Sequence, residues 1–545
     1  MIKKPWFKRS VVYQIYPWSF KDTNNDGVGD LQGIIEKLDY LNDGTSKSLG
    51  VGAIWLSPIY KSPMKDYGYD ISDYYDIDSR FGTLEDFDEL VRECRKRDIK
   101  IIMDYVTSHT SSEHPWFTQS RSSKDNPKRD WYVWRDPKPD GSPPNNWLSI
   151  FGGPAWTFDE FTGQYYLHHF LKEQPDLNWR NEEVREEMKR ILNFWMTRGV
   201  DGFRVDAISH FIEDSEFRDN PLNEKFVEGK HSPFMKYVPK YSMDQPELRE
   251  VVELLCDTLN NHEEKFMVSE MSAGGKKFFD SYRYSPTKLH APFNFSLIHM
   301  KWRASSYRRF IDNFERLLDK DEIPTYVLGN HDQPRVATRL DRLRARTSAM
   351  LLLTMRGLPF IYYGEELGLK NVKIPAHKLK DNLNLQGEMF VSELKAGHTS
   401  RDPARTPMLW NAGKHAGFSF ADPWLPLSRG YKTKNVEAQT KDEKSMLNLH
   451  RKLIHFRNKS TALVDGAYSS VIGQSKKLYI YKRESREEKL LVLLNFSKET
   501  VTEPLPENSK YKIICSTYMD EKGEGSIKDE ITLRPYEGYL LQVKG

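Results

Sequence analysis

Short apolar runs alternate with longer amphipathic stretches from the start of the chain to about residue 370. Several short runs are almost continuously apolar, which is typical of parallel strands covered on both faces. Between them, segments such as Leu84–Arg97 and Glu182–Arg198 carry apolar residues at helical spacing. Eight strands separated by helices predict an α/β fold, the (β/α)8 TIM barrel. The predicted strands are Val11–Phe20, Val51–Tyr60, Ile99–Val106, Val200–Ile208, Phe266–Glu270, His290–Ser296, Thr325–Asn330 and Leu358–Tyr363.

Two regions break this alternation. From about His109 to Asn178 there is little helical periodicity and much Pro, Gly, Trp and Asp, which predicts a subdomain inserted after the third strand. From about Asp465, strand-like segments joined by turns predict an antiparallel β domain. We expect a barrel of residues 1–108 and 179–464, an inserted lid of residues 109–178 and a C-terminal β-sandwich of residues 465–545. The C-terminal segments are Lys477–Lys482, Lys489–Asn495, Tyr511–Cys515 and Gly538–Val543.

The charge balance is nearly neutral, with 81 Lys+Arg against 78 Asp+Glu. It does not point to nucleic acid or an anionic membrane as a partner, and no apolar stretch approaches the ~18 residues of a membrane span. Aromatic residues make up 13%, which is compatible with the stacking of sugar rings and equally with a large core. Cys94, Cys256 and Cys515 are far apart and lack metal-ligand spacing, so we expect buried thiols and, without an apolar leader, a cytoplasmic protein. Monomer and homodimer are equally open.

Charged residues recur where the predicted strands end. Strand three runs into Asp104 and His109, strand four into Asp206, strand five into Glu270, and strand seven into Asp332. A buried strand that ends in an ionised acid needs partners for that acid. Because the C-terminal ends of barrel strands converge on one mouth, we expect these acids to form a cluster in an active site.

These residues resemble the α-amylase family of glycoside hydrolases and, within it, the α-glucosidase and oligo-1,6-glucosidase branch. The resemblance covers nearly the whole chain, and the motifs occur in the family's order. It implies a catalytic barrel that acts on small oligosaccharides. The matching motifs are Gln14-Ile-Tyr-Pro17, Asp66-Tyr-Gly-Tyr-Asp70, Gln174-Pro-Asp-Leu-Asn178, Gly202–Asp206, Glu270, His331-Asp332 and Arg405-Thr-Pro-Met408.

By this resemblance, Asp206 is the nucleophile, Glu270 the general acid/base and Asp332 the acid that supports the transition state. Glycoside cleavage needs one protonated carboxyl and one ionised carboxylate, which lie ~5–5.5 Å apart in retaining enzymes. We expect a raised pKa for Glu270, because the neighbouring Asp206 carboxylate disfavours a second negative charge. Arg204 lies two residues before Asp206, hence on the same strand face, and we expect it to keep Asp206 ionised.

The resemblance also implies the sugar contacts. His109 and His331 match histidines that hydrogen-bond the glucose at the reactive position. In this branch the residues that match Asp66 and Arg405 pair across the pocket floor and grip the terminal glucose. Because such a pair closes the far end of the site, we expect an exo-acting glucosidase rather than an endo-acting amylase. With two aromatic walls added, the predicted substrate-binding residues are Asp66, Tyr69, His109, Phe170, Arg204, His331 and Arg405.

The residue after the nucleophile is Ala207. In the family, valine at this place often accompanies α-1,6 preference, whereas alanine or threonine often accompanies α-1,4. We therefore expect maltose and short malto-oligosaccharides as substrates. Ser108 stands where many relatives carry Asn, which weakens a direct transfer of oligo-1,6-glucosidase specificity.

Several alternatives stay open on the sequence. An oligo-1,6-glucosidase would share the mechanism, and a trehalose- or sucrose-isomerising transferase would use the same glycosyl-Asp206 intermediate with a sugar hydroxyl in place of water. A phosphorylated disaccharide is a further candidate substrate. A barrel without activity, like the heavy subunits of amino-acid transporters or a maltodextrin-binding module, is disfavoured because all three acids are present.

A metal motif follows the first strand. Residues 22–30 place oxygen-bearing residues at alternate positions with glycine at the sixth, like the first part of an EF-hand loop. Gly33 stands at the twelfth position in place of a bidentate Glu. We expect a structural Ca²⁺ or Mg²⁺ that takes no part in bond cleavage. The predicted ligands are Asp22, Asn24, Asp26, Val28 and Asp30.

Overall fold

The eight predicted strands form a parallel barrel. The computed structural model describes residues 5–272, 274–381, 400–505, 510–520, 526–527 and 529–544. Each strand of the sheet pairs in parallel with its neighbours. The strand His290–Pro292 lies at one edge of the sheet, and Phe360–Tyr362, which pairs with the first strand, lies at the other. Tyr326 and Val327 then bridge Asn294 and Phe360 in parallel, which closes the circle at the place of the seventh strand. The other strands are Val12–Ile15, Ala53–Leu56, Lys100–Tyr105, Gly202–Val205, Phe266–Ser269, His290–Pro292 and Phe360–Tyr362.

The strands are shorter than the apolar runs that predicted them. The first one ends at Ile15, because Pro17 cannot donate to the ladder and begins a 3-10 turn. The fourth ends at Val205, where Ala207 takes a left-handed conformation with φ 44°. The few residues that follow each strand therefore form loops at the C-terminal mouth of the barrel.

Helices cover the barrel from outside. Glu182–Arg198 begins where the Asn181 side chain accepts from the backbone N–H groups of the first turn, and it ends at the left-handed Gly199. The further helices are Trp6–Arg9, Leu31–Glu36, Leu38–Leu41, Leu84–Lys96, Pro115–Ser122, Leu248–Asn260, Gly275–Ser281, Ser296–His299, Ala304–Leu317, Val336–Arg339, Arg342–Thr354, Val436–Lys441, Met446–Lys459 and Thr461–Asp465. The 3-10 turns are Pro17–Ser19, Arg129–Trp131, Ile208–His210, Pro233–Lys236, Ala376–Lys378, Asp402–Ala404 and Lys414–Gly417.

The segment after the third strand has its own small sheet. Gln164–Leu167 lies between Trp134–Arg135 and Trp156–Asp159, and both pairings are antiparallel. An antiparallel bridge between His109 and Asp176 joins the two ends of this segment above the barrel mouth. A two-stranded pair, Tyr60–Lys61 with Asp73–Ile77, lies in the loop after the second strand.

The C-terminal part is an antiparallel β domain, as predicted. Its core lies between a large sheet and a two-stranded one. It docks on the helix Arg342–Thr354, where Arg483 donates to the Thr354 carbonyl at 2.7 Å. The large sheet runs in the order Ala467–Val471, Leu478–Glu484, Lys489–Asn495, Gly538–Lys544, Lys510–Ser516, Ser526–Ile527, and the small one pairs Val501–Pro504 with Glu530–Leu533.

The three cysteines are buried and unbridged, as expected. Among the helices of the described residues, none is long and apolar enough to cross a bilayer. The domain boundaries at residues 108, 178 and 464 stay predictions, as does the cytoplasmic location.

Candidate active site

A pocket of about 460 Å³ opens at the C-terminal mouth of the barrel, a size typical of small-molecule sites. Asp206, Glu270 and Asp332, each just beyond a barrel strand, all line it, so the structure brings the predicted acid cluster together. Four of the predicted substrate-binding residues line it as well: Asp66, Tyr69, His109 and Phe170. Arg204, His331 and Arg405 lie behind this lining, each no more than 1% exposed.

Arg204 joins the acids beneath the pocket. Its Nη1 donates to Asp206 Oδ1 at 2.5 Å and to Asp104 Oδ1 at 2.6 Å, and its Nη2 contacts Glu270 Oε2. The same-face position predicted for Arg204 and Asp206 is therefore observed. Arg204 acts on the acids, and it has no surface left for a direct contact with a sugar.

Both carboxyls of the proposed catalytic pair hold protons more tightly than usual. The pKa of Glu270 is raised to about 7, chiefly by burial and also by the Asp206 and Asp332 charges, against the opposing effect of Arg204. Burial likewise raises the pKa of Asp206 to about 6, with Arg204 again opposing. The predicted direction for Glu270 is thus found, but burial contributes more than the Asp206 charge. Such a pair can hold one proton near neutral pH, which suits one acid and one nucleophile.

Asp332 is held ionised. Arg405 Nη2 donates to its Oδ1 at 2.7 Å, and His331 Nε2 lies 3.1 Å from its Oδ2. Burial raises the pKa of Asp332, but His331, Arg405 and Arg401 outweigh burial and bring the pKa well below its ordinary value. A carboxylate that stays charged can balance positive charge developing at a bound sugar.

The predicted pair of Asp66 with Arg405 is not formed. Arg401 donates to Asp66 Oδ1 at 2.6 Å, whereas the fully buried Arg405 turns to Asp332 and to the His331 carbonyl. The reason is local: the 3-10 turn Asp402–Ala404 separates the two arginines and directs only Arg401 into the pocket lining. The ion pair that closes the pocket is therefore Asp66–Arg401.

Asp381 fixes the geometry of Arg401. Its Oδ1 and Oδ2 accept from Arg401 Nη2 at 2.9 Å and Nε at 3.0 Å, a bidentate pairing. Arg401 lowers the pKa of Asp381 to about 2 against the effect of burial. The polar, Lys-rich composition of the segment from Lys370 to His398 predicts that it borders the entrance; residues 382–398 of this segment lie outside the described part of the chain.

Sequence reasoning missed part of the lining. Ala207, singled out from the sequence for its place after Asp206, lines the pocket; Ser272 follows Glu270 by two residues, so its place near the mouth could have been predicted from that spacing. Ile150 and Phe151 come from the inserted segment, where no periodicity predicts which side chain faces the barrel. The lining residues that were not predicted are Ile150, Phe151, His210, Ser272, His299, Gln333, Pro334, Asn371, Ser400, Arg401 and Ala404.

The predicted metal loop lies apart from this pocket. Asp22 and Asp30 are buried, and their carboxylates accept from backbone N–H groups of the loop and of the following helix. Within the described residues, no Lys or Arg forms an ion pair with Asp22, Asp26 or Asp30, and no three His, Cys or acidic side chains converge as metal ligands do. The carboxylates of Asp22 and Asp30 are already satisfied by these N–H groups and Asp26 is exposed, so the ion stays a prediction.

Known proteins share this architecture. The family model for the α-amylase catalytic domain matches residues 14–466, and the model for the α-amylase SusG C-terminal domain matches residues 478–538. The chain is 38% identical over 579 residues to the oligo-1,6-glucosidase of Parageobacillus thermoglucosidasius, with 100% of both chains covered. It is 38% identical over 572 residues to the trehalose-6-phosphate hydrolase of Bacillus subtilis strain 168, covering 99% of this chain and 98% of the relative.

Among solved structures, the α-glucosyl transfer enzyme XgtA superposes with a TM-score of 0.90 at 36% identity, covering 99% of this chain and 100% of the other. The matched catalytic domain begins within the first barrel strand, extends past the last one and includes the three acids. The chain therefore belongs to the α-amylase family of glycoside hydrolases and is an enzyme of its glucosidase type.

Proposed function

We propose that this enzyme is a retaining, exo-acting α-glucosidase that cleaves terminal α-1,4-linked glucose from maltose and short oligosaccharides. One observation carries the proposal: Asp206 and Glu270 share the Arg204 guanidinium in a pocket closed by the Asp66–Arg401 ion pair. Two carboxyls joined by one guanidinium fit the short spacing of retaining enzymes, ~5–5.5 Å, better than the wider gap of inverting ones.

In the first step, Glu270 donates its proton to the glycosidic oxygen while an Asp206 carboxylate oxygen attacks the anomeric carbon. The bond to the leaving sugar breaks, and a glucosyl ester of Asp206 forms. Positive charge develops on the ring during this step, and the ionised Asp332 supports it. In the second step, Glu270 takes a proton from water, the water oxygen attacks the anomeric carbon, and Asp206 leaves as a carboxylate.

The exo mode follows from the closed end of the pocket. Arg401 contacts both Asp66 and Asp381, so its guanidinium cannot swing aside without breaking two buried ion pairs. A sugar with a further residue on its non-reducing side would have to displace this arrangement. Chain ends are therefore the substrates that the pocket accepts.

A neutral disaccharide fits the described lining better than a phosphorylated one. Arg401 is the single Lys or Arg among the described lining residues, and it already faces three carboxylates, those of Asp66, Asp381 and Asp332. The similarity to a trehalose-6-phosphate hydrolase keeps the phosphorylated substrate as the second candidate. The similarity to an α-glucosyl transfer enzyme likewise keeps transfer to a sugar hydroxyl as the alternative to hydrolysis.

We also propose that the loop of residues 22–30 binds Ca²⁺ or Mg²⁺. Asp22, Asn24, Asp26 and Asp30 would supply side-chain oxygens and Val28 a backbone oxygen, a donor set suited to hard cations. Ser419 donates to Asp22 Oδ2 at 2.5 Å, so the loop is tied to a distant part of the barrel. The ion would stabilise this junction and supply no chemistry.

Product analysis on a sugar panel tests the specificity. Maltose and maltotriose should yield free glucose, and isomaltose, sucrose and trehalose should yield little. Protein carrying Asp206→Asn, purified in the same way, controls for contaminating glucosidases. Isomaltose as the best substrate would overturn the linkage assignment, and new disaccharides without net glucose would favour transfer.

The roles of the acids are separable by substitution. Asp206→Asn should lower kcat at least ~10³-fold on every substrate, because no nucleophile remains. Glu270→Ala should lose maltose turnover but keep cleavage of aryl glucosides with acidic phenols, which leave without a proton, and added azide should accelerate that cleavage. Asp201→Asn, at the opposite end of the same strand, should leave kcat within about twofold. Equal loss of aryl glucosides and maltose in Glu270→Ala would contradict its role as acid.

The raised pKa values predict a narrow bell-shaped pH profile of kcat/KM. Activity should rise as the pH increases through about 6, because Asp206 must lose its proton, and fall through about 7, because Glu270 must keep its proton. The two limbs belong to the coupled pair. In Glu270→Ala, assayed on an activated aryl glucoside, the alkaline limb should disappear; its persistence would assign that limb to another group.

The ion should show in thermal unfolding. After treatment with a chelator, added Ca²⁺ or Mg²⁺ should raise Tm by a saturable amount, since binding to the folded state alone stabilises it. Asp26→Ala should abolish this rise. Asp43→Ala, which changes a comparable exposed Asp turn, should keep it. A Tm independent of both ions would refute the site.

A further inference from the structure

His210 lines the pocket, and the proposed mechanism gives it no role. It ends the 3-10 turn Ile208–His210, four residues after Asp206, and lines the pocket with Ala207 and Phe170. Its side chain is buried, with 3% of the residue exposed. The ring lies 5.4 Å from that of Phe170 and 4.7 Å from that of His169, so its orientation is fixed by packing.

The two other buried histidines at this mouth have protein partners on both ring nitrogens. His109 Nδ1 lies 2.8 Å from Ser108 Oγ, and its Nε2 lies 3.0 Å from the Tyr69 carbonyl. His331 Nδ1 lies 2.9 Å from Gln14 Nε2, and its Nε2 lies 2.7 Å from the Tyr69 hydroxyl. The protein therefore positions both rings before any ligand arrives.

His210 differs in this respect. Neither Nδ1 nor Nε2 has a hydrogen-bond partner among the described residues, although both nitrogens are buried. A buried polar group without a partner costs free energy, and most such groups in folded proteins are paired. Because His210 also lines the pocket, its two nitrogens are available to a polar group of whatever the pocket binds.

The charge state of His210 suits an alcohol. Burial lowers its pKa well below the ordinary value, and the neighbouring His169 and His109 lower it further. His169 is itself paired with Asp176 at 2.5 Å, and Asp176 raises the pKa of His169 against burial. A neutral imidazole donates one hydrogen bond and accepts another, which matches a sugar hydroxyl, itself both donor and acceptor.

We propose that His210 is a specificity-determining residue that hydrogen-bonds a hydroxyl group of the bound glucoside. The inference rests on the proposed function, because it takes the ligand of this pocket to be a sugar. The hydroxyl belongs either to the glucose at the reactive position or to the leaving sugar. In both positions the contact adds a polar anchor to a wall that Phe151 and Phe170 otherwise make aromatic.

His210→Phe tests the proposal, because phenylalanine keeps the ring packing and removes both nitrogens. The KM for maltose should rise about tenfold, the effect expected when a ligand loses one hydrogen bond to a buried group. Tm should stay constant or rise, since two unpaired buried nitrogens are gone. His210→Gln, which restores a donor and an acceptor, should recover part of the affinity.

Two comparisons make the result specific. Nitrophenyl α-glucoside has no leaving sugar, so a KM increase on both substrates places the contact on the reactive glucose, and an increase on maltose alone places it on the leaving unit. His114 is also a buried imidazole, but it belongs to the inserted segment and lies outside the pocket lining. His114→Phe should therefore leave KM unchanged.

The failures are distinguishable. If the unsubstituted protein turns over no α-glucoside, the proposed function fails. If it is active and His210→Phe has the same KM on both substrates, or if His210→Gln is as impaired as His210→Phe, the inference about His210 is wrong and the proposed function stands.

Discussion

The buried guanidinium of Arg204 is the contact on which the catalytic mouth depends. It meets the carboxyl groups of Asp104, Asp206 and Glu270 at the same time. Removal from water raises the pKa of Asp104 and Asp206 to about 6 and of Glu270 to about 7, because the single charge of Arg204 opposes this effect only in part. Burial is the main reason that a proton stays on the proposed acid near neutral pH, and the charges of Asp206 and Asp332 add to it because Arg204 compensates them only in part. Asp332 lies in the same pocket and behaves in the opposite way, since arginines from a different segment surround it.

The strand register of the barrel places the acids beside this guanidinium. Asp104 pairs with Arg204 across one ladder, and Arg204 pairs with Val268 across the next. Alternate residues share a face, so Asp206 and Glu270 lie two positions beyond these partners and project toward the same mouth. A slip of one residue in either ladder would turn an acid away from the pocket. The apolar runs that specify the barrel register therefore also specify the catalytic geometry.

This dependence explains what could be predicted from the sequence. The strands and their polar ends follow from nearly continuous apolar runs that end in charged residues, and this pattern located Asp206, Glu270 and Asp332. Arg401 could not be told from Arg405, because the turn between them decides which side chain faces the pocket and both occur in one polar run. Ile150 and Phe151 lie in an insertion without periodicity, so only the folded chain brings them to the barrel mouth.

The acids of the site could be located from the sequence, whereas the residues of the pocket walls could not, and this difference has a chemical consequence. The acids proposed to form and resolve a glucosyl intermediate are positioned by the barrel, and in that role they would act alike toward water and toward a sugar hydroxyl. The choice between the two depends on which hydroxyl the remaining walls can hold and orient. Those walls come from the inserted segment and from the loops after strands four and five, and they include Phe151, His210 and Ser272. This chain is similar both to a hydrolase and to a glucosyl transfer enzyme, so we expect the choice between water and a sugar hydroxyl to depend on these walls rather than on the acids.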